Sequence, residues 1–324
     1  MVKSIRIGTR ESQLAVWQAT LVQQLLAENN FESELVYIKS EGDIDLQTPL
    51  YEMGVQGIFT KSLDVALLTN KIDIAVHSMK DVPTQLPGGI VQSAILERAS
   101  HKDIFVFKNS KVIDEWHLTE AKFSSPEQGP DFLSGEAGGI IATSSIRRKA
   151  QWLNRFPNHT IENLRGNVNT RLRKVQENNW HGAIFAAAGL ERINLRPENA
   201  IDLNWMLPAP AQGAIMVVCR EDDQFSMDAC HHFNHHDTAV CTKIERDFLR
   251  TLLGGCSTPI SALAEVKGDD IFFHGNILSV DGKEKLSIEK TTTLNASINL
   301  GETAAEELLK KGADKIADAI RNAK

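Results

Sequence analysis

The sequence predicts an α/β protein in which two doubly wound domains are followed by a small α+β domain with an antiparallel three-stranded sheet. Three observations carry that reading. Short apolar, strand-like runs alternate with amphipathic stretches from Ile5 to about Leu96, at the spacing of βαβ units. The alternation starts again at Ile104-Phe105-Val106-Phe107 and continues to about Ala187. From about Asp237 a helical stretch gives way to strand-like runs joined by a hairpin turn at Asp281-Gly282.

A chain of 324 residues is expected to divide into two or three domains. Hydrophobic residues at 42% and charged residues at 24% are the proportions of a globular protein with real cores. No apolar run approaches the roughly 18 residues needed to span a bilayer. Gly8 and Arg10 interrupt the N-terminal apolar residues before a signal-peptide core can form. A cytoplasmic protein is therefore expected, with its four cysteines reduced.

Ile5 and Ile7 begin a first strand that ends at Gly8-Thr9-Arg10. Ser12 then caps a helix whose apolar positions Leu14, Trp17, Leu21 and Leu25, with Val22 and Leu26, keep helical spacing. Leu35 to Ile38 is the next strand; Gly42-Asp43 and Pro49 mark a loop. Gly54 and Gly57 precede a helix carrying Phe59, Leu63, Ala66 and Leu67. Strands follow at 72–77 and about 90–96, and these units are expected to be parallel. In the second set, 117–139 reads as a polar surface insertion, and strands are expected at 140–142, 160–164 and 183–187, with helices after the first two. Pro208, Pro210 and Gly213 break the pattern before a strand at 214–219, which could return to the first sheet and make a hinged pair around a cleft. The expected domains are therefore 1–103 with 216–233, 104–215, and 234–324. In the last, strands at about 260–267 and 271–280 precede the hairpin, and a helix from about Glu302 places Leu308, Leu309, Ile316, Ala319 and Ile320 on one face.

The chemistry centres on Asp73-Ile74-Ala75-Val76-His77-Ser78-Met79-Lys80-Asp81-Val82-Pro83. A strand stops where His77, Ser78, Lys80 and Asp81 crowd together, and open α/β sheets bind ligands just beyond strand carboxyl ends. The plainer reading is a polar loop with a local ion pair. The net charge of −7 argues against general nucleic-acid binding, yet Thr143 to Lys174 holds eight Lys or Arg against one acid, Glu162. Thr143-Ser144-Ser145-Ile146-Arg147-Arg148 combines hydroxyls, a helix start and two guanidinium groups, which suits carboxylate or phosphate. Arg165-Gly166-Asn167 to Arg171 repeats the design, with Gly166 allowing close backbone approach. Against this stands a solvated basic helix face. No nucleotide phosphate loop is present in the sequence. Cys230, His231, His232, His235, His236 and Cys241 match no standard zinc spacing and read as a polar linker, so no metal is expected. Cys219 reads as core, whereas Cys256, after two glycines and before Ser-Thr-Pro, reads as an exposed loop thiol.

Together these blocks resemble the porphobilinogen deaminase (hydroxymethylbilane synthase) family. The resemblance rests on Ile7-Gly8-Thr9-Arg10 with Leu14 to Gln18, the His77-to-Pro83 stretch, Thr143 to Arg148, Leu164 to Leu172, Pro208 to Ala214, and Gly254-Gly255-Cys256. It implies that the first two domains are periplasmic-binding-protein-like. It also implies a transferase of tetrapyrrole biosynthesis that adds four porphobilinogen units, with loss of ammonia, to a dipyrromethane cofactor held by a thioether to Cys256. Water then releases hydroxymethylbilane. By match of motif, Asp81 is the catalytic acid and base; Arg10, Arg147, Arg148, Arg165, Arg171 and Arg192 hold the pyrrole carboxylates, with Ser78, Lys80, Thr143 and Ser145 assisting. Gln18, Asp43, Phe59, Lys61 and Gln212 are further positions the resemblance marks. Porphobilinogen is the implied partner, acting on a monomer with no nucleic acid or membrane. The chain departs from the family pattern at Gln56 and Glu52, where lysines are usual, and at Gln47, where aspartate is common, so less positive charge is expected near the 42–60 loop. The rival from another class is a non-enzymatic, two-domain solute-binding protein for a small polycarboxylate, which needs neither Asp81 nor the Gly-Gly-Cys stretch.

Overall fold

A computed structural model describes residues 4–39, 60–119, 138–252 and 258–322. The first set of elements is β1 (Ile5–Thr9), α1 (Gln13–Glu28), β2 (Ser33–Tyr37), α2 (Lys61–Leu68), β3 (Ile74–Ser78) and β4 (Ile90–Ile95). The second runs β5 (Asp103–Phe107), α3 (Lys111–Glu115), β6 (Ile140–Ala142), α4 (Ile146–Arg155), β7 (Thr160–Glu162), α5 (Val168–Glu177), β8 (Gly182–Ala186), α6 (Ala187–Glu191) and β9 (Ala200–Asp202). Then come β10 (Ile215–Arg220), α7 (Gln224–His231), α8 (His236–Thr251), β11 (Ile260–Lys267), β12 (Asp270–Leu278), β13 (Lys285–Thr293), α9 (Leu300–Leu308) and α10 (Asp314–Asn322).

Two five-stranded sheets have the same plan, β2-β1-β3-β10-β4 and β7-β6-β8-β5-β9, and the third sheet is β11-β12-β13. Strand β10 does return to the first sheet, after the second is complete. It runs antiparallel between β3 and β4, with Met216 opposite His77 and Val217 opposite Val76. Strand β5 is its counterpart, antiparallel between β8 and β9. The βαβ units are parallel, as expected from the sequence, and each doubly wound sheet adds one antiparallel strand to them. The physical reason is the pair of crossovers: each sheet accepts one strand from chain entering or leaving the other. Central strands β3 and β5 are buried on both faces, which is why both read as near-continuous apolar runs.

Local signals place the helix starts. Ser12 caps α1 by accepting from the Ala15 N–H, and Ser145 caps α4 by accepting from the Arg148 N–H. The buried stripe of α1 is rotated from the one its apolar spacing suggests: Gln18, Ala19, Val22 and Leu26 face inward, while Trp17 is 36% exposed. The Gln18 amide earns its buried place by donating to Ser78 Oγ at 2.8 Å. Leu118 is fully buried, so the expected 117–139 surface segment begins inside the core; residues 120–137 lie outside the described ones. The expected C-terminal helix is two helices, since Gly312 adopts φ +102° between α9 and α10. Ala313, Ile316, Ala317 and Ile320 supply the buried positions there, and Ala319 is exposed. Cys230 and Cys241 sit in separate cores, and His235 caps α8, which leaves the cysteine–histidine stretch as a structured linker.

Asp73, just before β3, ties three strands together at the end of the sheet remote from Ser78. Its carboxylate accepts from the Arg6 backbone N–H and Nε, each at 2.9 Å, and from Arg220 Nη2 at 3.2 Å. Burial pushes this carboxyl up, but the Arg6 and Arg220 hydrogen bonds prevail and hold it at about 2. Because the folded value lies below the unfolded one, the contribution is complete above about pH 4 and is lost as pH falls toward 2; it is worth roughly 2 kcal/mol. Urea unfolding of the wild type and Asp73→Asn from pH 5 to 2 checks this. The stability gap should close across that interval, and a gap independent of pH would remove the carboxylate from the account.

Candidate active site

Residues just beyond the carboxyl ends of parallel strands β1, β3, β6, β7 and β8 meet at one cavity of about 830 Å³. This is where open α/β sheets bind ligands. First-turn residues of α1, α4 and α5 also line it, bringing the positive ends of three helices to the same space.

Most of the residues expected from sequence converge here. Arg10, Gln18, Ser78, Lys80 and Asp81 come from the first sheet, and Thr143, Ser145, Arg147, Arg148, Arg165, Arg171 and Arg192 from the second. Gln212 joins them from the crossover. Lys61 is exposed at the start of α2 and is not in the cavity wall. Asp43, Phe59, Gln47, Glu52, Gln56 and Cys256 lie outside the described residues. Among described lining residues, eight are Lys or Arg and only Glu11 and Asp81 are acidic. That donor set fits a polycarboxylate.

The arginines divide into two kinds. Arg147 and Arg148 are buried and turned onto Asp103, which the sequence reading missed. Arg147 Nη1 lies 2.7 Å from Asp103 Oδ2, and Arg148 Nη2 is 2.7 Å from Oδ1. Arg147 also donates to the Leu207 carbonyl at 2.7 Å, and Arg148 to that of Ile184 at 3.0 Å. Burial raises the Asp103 carboxyl, but the two guanidinium groups pull it far below the ordinary range. Two cations against one anion leave a net positive charge in the wall. The only signal in the sequence was an acid at the head of an apolar strand.

Gln212 connects this cluster to the loop that carries Lys80 and Asp81. Its Nε2 donates to the His101 carbonyl at 2.8 Å and to Asp103 Oδ1 at 3.0 Å. Its Oε1 accepts from Lys80 Nζ at 3.4 Å and from Arg147 at 3.5 Å. Burial pushes the Lys80 ammonium down to about 8, with Asp81 opposing and Arg148 reinforcing the shift. The crossover is held in strained backbone: Gly213 has φ +90°, and a Cβ there would sit 2.6 Å from the Ala99 carbonyl oxygen. Ala211, at φ +60°, donates its N–H to Glu245 Oε2 at 2.6 Å.

The second kind, Arg171 and Arg192, lines the same cavity without pairing to Asp103. Arg171 donates through Nε to the Gly166 carbonyl at 2.7 Å, made possible by Gly166 at φ +114°. Burial lowers Arg171 to about 10, helped by Arg148 and Arg165 and opposed by Asp81, which places Asp81 within its field. Arg192 donates to the Gly213 carbonyl at 2.7 Å and lies 5.7 Å over the Trp17 ring, bridging the two sheets. Burial lowers it to about 10. His77, buried beside Arg10, is held neutral, its value brought down to about 4 by burial and by Arg10. Asp81 itself is exposed at the turn Met79–Asp81.

Comparison with known proteins decides the kinship. A family model described as porphobilinogen deaminase, dipyromethane cofactor binding domain, matches residues 5–228, and its C-terminal domain model matches 239–310. This chain belongs to the porphobilinogen deaminase family. A porphobilinogen deaminase of Pelobacter propionicus is 38% identical over 98% of this chain and 97% of its own length. One from Desulforamulus reducens is 36% identical over 99% of each. Members of the porphobilinogen deaminase family are transferases of tetrapyrrole biosynthesis, and the matched region is the one that binds the dipyrromethane cofactor. Among solved structures, a nutrient-binding protein from Burkholderia cenocepacia bound to methionine covers 70% of this chain and 89% of its own, at 15% identity and TM-score 0.38.

Proposed function

We propose that this chain joins four porphobilinogen molecules into hydroxymethylbilane on a dipyrromethane primer tethered through a thioether to Cys256. The observation that carries the reading is the juxtaposition of Asp81 with a cavity lined by eight cationic side chains, in a chain of this family. When bound, the dipyrromethane supplies the pyrrole carbon to which the first substrate is joined.

In each addition the bond from the substrate's aminomethyl carbon to nitrogen would break with loss of ammonia, and the bound primer would supply the pyrrole carbon for the new carbon–carbon bond, giving up its proton there. Asp81 gives a proton to the departing amine, stands as an anion beside the substrate cation, and takes up the pyrrole proton. Arg10, Arg165, Arg171 and Arg192 hold acetate and propionate groups, with Ser78, Thr143 and Ser145 donating beside them. Arg147 and Arg148 act chiefly by charge, since Asp103 and backbone carbonyls engage their donors. Lys80 and Gln212 fix the position of the aspartate loop. The sheets support domain limits at 1–103 with 216–233, 104–215, and 234–324, the first two closing on the cavity. The proposal includes a monomer working in the cytoplasm; no helix among the described residues is long and apolar enough to cross a membrane.

Intact-protein mass spectrometry after mixing with porphobilinogen tests the reading. It should show a ladder of covalently extended species with ammonia released at each step. A solute-binding protein for polycarboxylates would return the substrate unchanged.

A further inference from the structure

Helix α8 belongs to the C-terminal unit, yet one of its side chains reaches the aspartate loop. Arg246 is half-buried and is not in the cavity wall. Its Nη1 donates to the carbonyls of Val82 at 2.9 Å and Met79 at 3.3 Å, and its Nη2 to that of Pro83 at 2.5 Å. These three carbonyls bracket Asp81 on both sides. The 3-10 turn Met79–Asp81 closes one bond of its own, from the Val82 N–H to the Met79 carbonyl at 3.1 Å, and Pro83 has no N–H to add to a ladder. The neighbouring residue, Glu245, holds the other segment that frames the cavity: its carboxylate accepts from the Ala211 N–H and pairs with Arg98 at 2.6 Å. Adjacent positions on one helix thus clamp the aspartate loop and the crossover. The buried Met79 and Val82 side chains anchor the same turn from within the first sheet.

We infer that Arg246 is a positioning residue for Asp81, fixing the height and direction of the carboxylate over the cavity by holding the carbonyls on either side of it. The inference rests on the role proposed for Asp81. A planar guanidinium fork is suited to several carbonyls at once, whereas an ammonium is a point donor. Displacement of a reacting group by about 1 Å costs on the order of 100-fold in rate. Loss of the fork is therefore expected to lower kcat and leave KM for porphobilinogen close to its wild-type value, because the carboxylate-binding arginines are untouched.

The test uses full-length Arg246→Gln and Arg246→Lys, with the tethered primer verified by intact mass and folding by thermal melting. Arg246→Gln should lose about 10- to 100-fold in kcat, with Arg246→Lys intermediate, and added methylguanidinium should restore part of the loss in Arg246→Gln. A folded, primer-loaded Arg246→Gln with wild-type kcat overturns the inference. So does a loss that methylguanidinium leaves unchanged, or one confined to KM or to melting temperature. Absence of turnover in the wild type would instead strike the proposed function, so the two failures are distinguishable.

Discussion

Replacing Asp81 by alanine is expected to leave a folded protein with almost no turnover. The carboxylate is exposed at a loop tip, so its removal touches little packing and stability should change by no more than about 0.5 kcal/mol. Chemistry is different, because in the proposed mechanism one group moves the protons and faces the substrate cation. General acid–base catalysis alone contributes about 10²- to 10⁴-fold, and the electrostatic share adds to it. A loss on the order of 1,000-fold or more in kcat is expected for Asp81→Ala, and a similar loss for Asp81→Asn. Asp81→Glu retains the charge but displaces it, and should fall between these and the wild type. Steady-state rates with porphobilinogen, measured beside urea melts, check the ranking. Near wild-type turnover in a folded Asp81→Ala protein would take this residue out of the mechanism.

The largest stability effect is expected at Asp103. Its carboxylate neutralises one of two buried guanidinium groups and accepts from Gln212, so alanine there leaves Arg147 and Arg148 as facing like charges. Breaking a buried pair in this way costs about 3–5 kcal/mol, a large fraction of the 5–15 kcal/mol typical of a folded domain. The triple replacement Asp103→Leu, Arg147→Met, Arg148→Met should be less destabilised than Asp103→Ala alone, since it removes the stranded charges as well as their partner. Denaturant titration reads both. A loss below about 1 kcal/mol in Asp103→Ala would mean that water reaches the cluster and the arginines are free to serve the ligand directly.

How much of this was legible beforehand depended on how local each interaction is. The run over 72–77 announced a buried strand, found at Ile74–Ser78, and the polar cluster at its end announced a loop. Ser12, Ser145 and Asn167 announced helix starts, and each side chain accepts from an N–H in the first turn of its helix. Position on the chain failed where the partner was distant. Arg148 pairs with Asp103 and Arg246 holds Pro83, and no periodicity links residues 45 or 163 apart. The basic stretch from Thr143 to Lys174 likewise looked uniform but is not. Arg173 points outward to Glu177 with its side chain 67% exposed, Arg155 lies 4.8 Å over Trp205, and Arg147 and Arg148 are committed to Asp103. The antiparallel β10 and β5 escaped for a related reason: strand direction follows from which sheet the chain crosses to, and a short apolar run has no direction of its own. Gln18 was misjudged by hydrophobic spacing because a single hydrogen bond to Ser78 decides its burial.

The proposed chemistry requires a primer held at Cys256 and extended beside Asp81. Intact-protein mass spectrometry of the purified wild type and of Cys256→Ala tests it most directly. The wild type should carry a covalent adduct of dipyrromethane mass, and Cys256→Ala should carry none and fail to build the ladder. An unmodified wild type with full turnover, or an adduct that persists in Cys256→Ala, would contradict it.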